Sequence, residues 1–328
     1  MSLSRFVGTT APADALIQEL AALYPTNPLQ TPSYAAARRS VGEETLLLAL
    51  ESGGRLAGGC LAFRRGRGGG HLEIPSAPAF ASASAFWEGV RLLIDDLGVR
   101  SLYLGSFAST EVDLPRWEDE EERWPRFEWV LDLDAQGNTG ALNHGHRRNV
   151  RRAREAGMEL VVRSEPEALD DHYRCFESSM DRRAARGESV PEDLERSLLG
   201  AFLATGAGQL AQAFLDGQVM ASLLFLRSSR GAYDQSSGTT AQGRKNGAAP
   251  FLIQSLCERL GAEGVQCFNL GGAQDDNPGL QAFKQGFGAR RVELEAARFS
   301  TASGALNKLW ELGRRAREVV STRRAPGR

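Results

Sequence analysis

Between Gly231 and Gly288 the chain gathers residue types that grip an anion and stabilise a developing negative charge. GAYDQSSG (231–238) has the aromatic and small-residue character of a buried strand. Alternation along that strand puts Tyr233 and Gln235 on one face and Asp234 on the other. Whichever face meets a cleft is placed to bind an acceptor group or to pass a proton. A polar loop carrying Arg244-x-x-Gly247-x-Ala249 follows, and Pro250 then opens an amphipathic helix. A small-residue loop entering a helix leaves N–H groups free to point at an anion, and the helix dipole adds to the attraction. The Arg244 guanidinium would add a full charge. A second strand, QCFNLGG (266–272), carries Asn269 and runs into a short helix that holds Phe283 and Lys284 ahead of GFG at 286–288. Lys284 is therefore the first candidate for charge stabilisation, at the end of a strand that opens into a cleft.

Each of these residues also has a bland explanation. Lys284 could be a surface lysine over an apolar stem, Tyr233 a core tyrosine and Asn269 a structural amide. HRRNVRRAR (146–154) lacks an acid until Glu155. At helical spacing Arg147, Arg151 and Arg154 make one stripe and Arg148 and Arg152 another. Arg147, Arg148 and Arg151 could meet phosphates, or the face could be solvated and paired with the acidic run Glu118–Glu122, itself expected to be a solvated loop. His144 and His146 have no companion ligands at metal spacing, so no metal site is expected.

Arg/Gln-x-x-Gly-x-Gly/Ala between a strand and a helix resembles the pyrophosphate loop of the GNAT acyltransferase superfamily. Phe-Lys near Gly-Phe-Gly resembles the end of a Fem-type (FemABX-like) transferase domain, and the arginine-rich opening before Gly157 resembles the start of the second such domain. The resemblance spans roughly Asn143 to Phe299. It implies an enzyme that moves an acyl group from an activated donor to an amine, with Lys284 near the reacting carbonyl and Phe283 beside the donor. Aminolysis of a thioester or ester needs a neutral amine, a stabilised oxyanion and a protonated leaving group. Lys284 would meet the oxyanion, and Tyr233 or Asp234 the proton. Arg244, Gly247 and Ala249 would hold donor phosphates. Gln235 and Asn269, with the three arginines, would bind the acceptor or its phosphates. No permanently bound cofactor is implied. Acyl-CoA is favoured slightly as co-substrate over aminoacyl-tRNA, and the acceptor would be a small-molecule or cell-wall-precursor amine. A tRNA-dependent aminoacyltransferase and a non-catalytic phosphate-ligand-binding protein are the alternatives.

The positions of these residues follow from an internal repeat. LLLALESGGRLAGGCLAFRR (46–65) resembles QLAQAFLDGQVMASLLFLR (209–227), each an alternating hairpin with a tight turn at Gly53-Gly54 or Asp216-Gly217. GVRSLYLG (98–105) likewise resembles GVQCFNLG (264–271). So long a period points to a duplicated domain. The expected fold class is α/β: tandem GNAT-like domains, each a twisted mixed β-sheet flanked by helices. Residues 1–138 would be a degenerate domain, without the donor loop, forming a cleft wall. Residues 139–300 would be the transferase domain, and 301–328 a docked amphipathic helix and a fraying tail.

The 328 residues suffice for two domains, and a net charge of −2 excludes a globally basic nucleic-acid binder. Cys60, Cys175, Cys257 and Cys267 fall in apolar stretches without metal spacing, as suits reduced thiols in a cytoplasmic protein. Neither a signal peptide nor a transmembrane run is expected.

Overall fold

The computed structural model describes residues 5–66, 70–79, 83–188, 195–273 and 277–301. The helix and tail expected beyond residue 301 lie outside the described residues. Strand β1 (Arg5–Thr10) leads to helices α1 (Asp14–Leu23) and α2 (Pro32–Ser40), then to the hairpin β2 (Glu44–Ser52) and β3 (Arg55–Arg65). Strand β4 (His71–Ile74), helix α3 (Ala83–Asp96) and β5 (Ser101–Gly105) follow, with the long β6 (Glu120–Asp134) and the short β7 (Gly137–Asn138). The second half repeats the order with α4 (His144–Glu155), β8 (Glu159–Arg163), α5 (Ala168–Ala184) and α6 (Arg196–Ala204). Its hairpin is β9 (Gly208–Leu215) and β10 (Gln218–Arg227), followed by β11 (Gly231–Thr239). Helices α7 (Ala241–Lys245) and α8 (Ala248–Ala262), strand β12 (Cys267–Gly272), helix α9 (Pro278–Gln285) and β13 (Arg290–Ser300) complete it.

Both hairpins turn where the repeat placed them. Gly53 and Gly54 have φ of 61° and 77°, and Asp216 and Gly217 have 51° and 74°. Two successive left-handed residues are what a two-residue hairpin turn needs to match strand twist.

One open sheet runs through both halves in the order β1-β2-β3-β4-β5-β13-β6-β12-β11-β10-β9-β8. The first five strands are mirrored by the last five, with two exchanged strands between them. Strand β6, at the end of the first half, pairs with β12 of the second. Strand β13, at the end of the second half, pairs with β5 of the first. They also pair antiparallel with each other along most of their length.

The hairpin strands are buried on both faces, where half-buried alternation was expected. Leu47, Leu61 and Phe63 enter a core shared with α1, α2, α5 and α6, which also holds Leu210, Leu224 and Phe202. Leu46, Leu48 and Ala62 enter a separate core under α3, and Ala211, Leu223 and Phe225 one under α8. Helices on both faces require this near-continuous apolar run. The shared core joins the halves directly: Tyr34 stacks on Phe202 with ring centroids 5.6 Å apart.

The acidic run is also built differently from expectation. Glu120 to Glu122 begin β6, and their neighbours are Arg123 and Arg298 rather than the α4 arginines. Asp119 pairs with Arg91 at 2.7 Å.

Candidate active site

Strands β11 and β12 pair in parallel only from Gly231–Tyr233 against Cys267–Asn269. Beyond that point both are distorted. The β10–β11 ladder slips between Leu224, opposite Ser236, and Phe225, opposite Asp234, leaving Gln235 as an extra residue. Such a bulge bends its strand and breaks alternation. Gly271 of β12 is at φ 73°. The strands part, and between them opens a cleft of about 720 Å³. Tyr233, Asp234 and Gln235 all border it, so the opposite faces expected from simple alternation are not kept. In the first half Ala77 N–H bonds Gly105 O at 2.8 Å and holds the described chain past β4 against β5.

The loop after β11 is not irregular throughout. Thr240 caps α7 by accepting from Gly243 N–H at 2.9 Å. Gly247, at φ 74°, then turns the chain into α8, which starts at Ala248, two residues before Pro250. Glycine is required there twice over: the φ is left-handed, and a Cβ would lie 2.7 Å from Asn149 O of α4. First-turn N–H groups lack intrahelical partners, and Gly247, Ala248 and Ala249 border the cleft. Arg244 borders it too, but its guanidinium donates to Thr239 O at 2.5 Å and more weakly to Ser178 O at 3.4 Å. It thus ties the loop to α5 and β11. Burial, then the charge of Arg182, lowers its pKa.

Lys284 sits on α9, whose N-cap Asn277 accepts from Leu280 N–H at 3.0 Å. Its side chain is not a surface one: the residue is 7% exposed and borders the cleft. The ammonium donates to Leu270 O at 2.6 Å and to Gly272 O, the carbonyls on either side of Gly271. Burial pulls its pKa down to about 8, against the opposing charges of Asp234 and Glu128. Asp234 is shifted the other way. Burial raises its carboxyl to about 6, with Lys284 and a hydrogen bond from Ser237 opposing the rise. Tyr233 packs edge-on against Phe107 of the first half, centroids 5.3 Å apart. Burial, and then the Glu128 charge, pushes its phenol up. Phe283 borders the cleft and packs against His146 and Phe287.

The remaining candidates lie elsewhere. Asn269 is buried and donates to Glu128 Oε2 at 2.7 Å while accepting from Gly271 N–H, so it shapes the β12 turn rather than facing a ligand. Arg147 and Arg151 border a second groove of about 290 Å³ between α4 and α8. Arg148 is exposed and borders neither. His146 donates its ring N–H to Phe283 O at 2.8 Å. No metal-holding group of His, Cys, Asp and Glu occurs among the described residues.

Two charged groups at the site escaped the sequence. Glu128, 0% exposed, comes from the exchanged strand β6 and carries bonds from Arg126 and Ala108 N–H as well as Asn269. No local pattern announces it. Arg182 borders the cleft and forms no ion pair among the described residues. The DRRAAR run at 181–186 was its only signal.

No helix among the described residues is long and apolar enough to cross a membrane. Residues 143–285 match the acetyltransferase (GNAT) domain family. No curated protein matches the sequence. FemX superposes with a TM-score of 0.65 at 12% identity, over 88% of this chain and 96% of FemX. L-PGS from Bacillus licheniformis gives 0.56 at 14%, over 89% and 93%. A tandem GNAT protein from the clavulanic acid biosynthesis pathway gives 0.54 at 13%, over 92% and 99%. With a GNAT domain in its second half and the duplicated sheet spanning both, the chain has the Fem-like GNAT acyltransferase fold.

Proposed function

We propose that this protein is an N-acyltransferase that moves an acyl group from acyl-CoA to an amine in the cleft between β11 and β12. The observation that carries the reading is the pair Asp234 and Lys284 at the parting of those strands, on the same cleft as the first turn of α8. Donor phosphates would lie on the N–H groups of Ala248 and Ala249, where the helix dipole and Arg182 favour negative charge. The carbonyl would then reach Lys284. An ammonium has three N–H bonds. Two are held by Leu270 O and Gly272 O, which leaves one for the oxyanion.

The amine nitrogen attacks the thioester carbon and a C–N bond forms as the carbonyl electrons move to oxygen. Asp234, ionised above about pH 6, takes a proton from the nitrogen. Collapse of the intermediate breaks the C–S bond and releases CoA thiolate, which takes up the proton held by Asp234 and so returns the carboxylate to its ionised form. Tyr233, whose phenol stays neutral, supplies a hydrogen bond and no base. Residues 1–138 contribute the wall behind Tyr233 through Phe107 and Glu128.

The exposed Arg147 and Arg148, without ion pairs among the described residues, favour a second reading, with aminoacyl-tRNA as donor. The test is product analysis: purified protein with acetyl-CoA and a panel of amines, with and without RNase. Acylated amine and stoichiometric free CoA, indifferent to RNase, support acyl-CoA. Activity only with charged tRNA, lost on RNase treatment, replaces it with the second reading. Ligand binding without turnover of either donor leaves a phosphate-ligand-binding protein.

A further inference from the structure

The cleft wall contains a hydrogen-bond chain that the transfer chemistry above does not use. His172 of α5 is fully buried. Its Nδ1 lies 3.0 Å from Ser222 Oγ and its Nε2 2.9 Å from Ser236 Oγ. Both serines border the cleft. Burial draws the imidazole pKa down to about 4. At neutral pH the ring is therefore uncharged, and one nitrogen donates while the other accepts.

Gln212 decides which nitrogen does which. It too is fully buried, and it lies 3.1 Å from Ala168 O and 3.4 Å from Ser222 Oγ. A main-chain carbonyl only accepts, so the NH₂ end of the amide must face Ala168. Its two protons are then spent on Ala168 O and Ser222 Oγ. Among the described residues Ser222 Oγ has only Gln212 and His172 as partners. The amide NH₂ of Gln212 cannot accept, so the acceptor open to the Ser222 hydroxyl proton is His172 Nδ1. Nδ1 is therefore bare, Nε2 carries the ring proton, and Ser236 Oγ accepts it. Ser236 is 7% exposed, and His172 is its hydroxyl's one partner among the described residues. Its own proton is left to point into the cleft, polarised by the chain behind it.

We propose that Ser236 donates this hydrogen bond to a carbonyl oxygen of the acyl donor, and that His172 is the positioning residue that turns the hydroxyl outward. The proposal rests on the acyl-CoA reading above. A carbonyl, which has lone pairs and no proton of its own to place, suits a hydroxyl whose proton is unspent and one of whose lone pairs His172 already fills. The acceptor amine does not, since a hydrogen bond to its lone pair would suppress attack. The position, two residues past Asp234 on the same bulged strand, keeps the contact beside the reacting centre.

Two measurements on the full chain test it. Nitrogen NMR of ¹⁵N-histidine-labelled protein reports the His172 tautomer. The Nε2–H form is expected, and an Nδ1–H form overturns the proposal. In Gln212→Met the donor to Ser222 is lost, and the tautomer is expected to shift towards Nδ1–H with no residue of the cleft lining changed. Acetyl-CoA and free CoA are then titrated against wild type and Ser236→Ala. Acetyl-CoA is expected to bind the variant about tenfold more weakly, the size of one lost hydrogen bond. Loss for acetyl-CoA alone places the contact on the thioester carbonyl, and equal loss for both places it on an amide carbonyl of the arm. Equal affinity of wild type and variant for acetyl-CoA overturns the contact. Wild type that binds neither ligand overturns the acyl-CoA reading together with it.

Discussion

Asp234 and Lys284 each hold the other's charge in place against burial. Desolvation favours the neutral form of each. The carboxylate raises the lysine's proton affinity and the ammonium lowers the carboxyl's, so that they settle at about 6 and about 8. Between those values the acid is ionised and the lysine protonated. That is the charge state in which one accepts a proton and the other meets an oxyanion.

Activity should therefore follow a bell against pH. It rises as Asp234 ionises near pH 6 and falls as Lys284 loses its proton near pH 8. Asp234→Asn should remove the acid limb. With the carboxylate gone the lysine loses its supporting charge, so the alkaline limb should move to lower pH. Profiles of kcat/KM for both proteins check this, and an alkaline limb that stays in place separates the two residues.

Lys284→Met keeps the aliphatic stem and removes the charge. Turnover should fall by about 10²–10³-fold, the usual loss for an oxyanion donor, with little change in CoA affinity. Steady-state kinetics beside a CoA titration gives both numbers. A folded variant with full kcat would remove Lys284 from the mechanism.

Gly247→Ala must place a Cβ at left-handed φ and against Asn149 O. The conformational cost alone is about 1–2 kcal/mol. Thermal denaturation should show a lowered Tm, and CoA should bind more weakly because the α8 terminus is displaced. Unchanged CoA affinity in a destabilised variant would move the phosphate site away from this turn.

Phe202→Ala removes the ring against which Tyr34 stacks and opens the core shared by both halves. Such truncations cost about 3–5 kcal/mol. Denaturant unfolding should remain a single transition at lower midpoint. Two separated transitions would show that the shared core does not couple the halves.

Local signals in the sequence carried much of this fold. Gly53-Gly54 and Asp216-Gly217 marked their turns because two left-handed residues in a row leave few residue choices. The glycine at 247 marked the entry to α8 for a related reason. What stayed hidden was set by partners far along the chain. Nothing near Glu128 says that β6 lies beside β12, so a buried carboxylate at the site looked like any strand glutamate. The bulge at Gln235 is a property of the β10–β11 ladder, and without it Asp234 would have faced away from Tyr233. Asn269 and Lys284 looked alike as polar groups near a strand end. Only the pairing geometry shows that one shapes the β12 turn while the other borders the cleft.

The exchange of β6 and β13 has a consequence for how the molecule comes apart. Cleavage of the backbone between β7 and α4 would sever the one described covalent connection between the halves. The two fragments should nonetheless stay clasped, since each lends the other a strand. A fragment produced alone, by contrast, would display an unfilled sheet edge and should be insoluble until its counterpart is supplied.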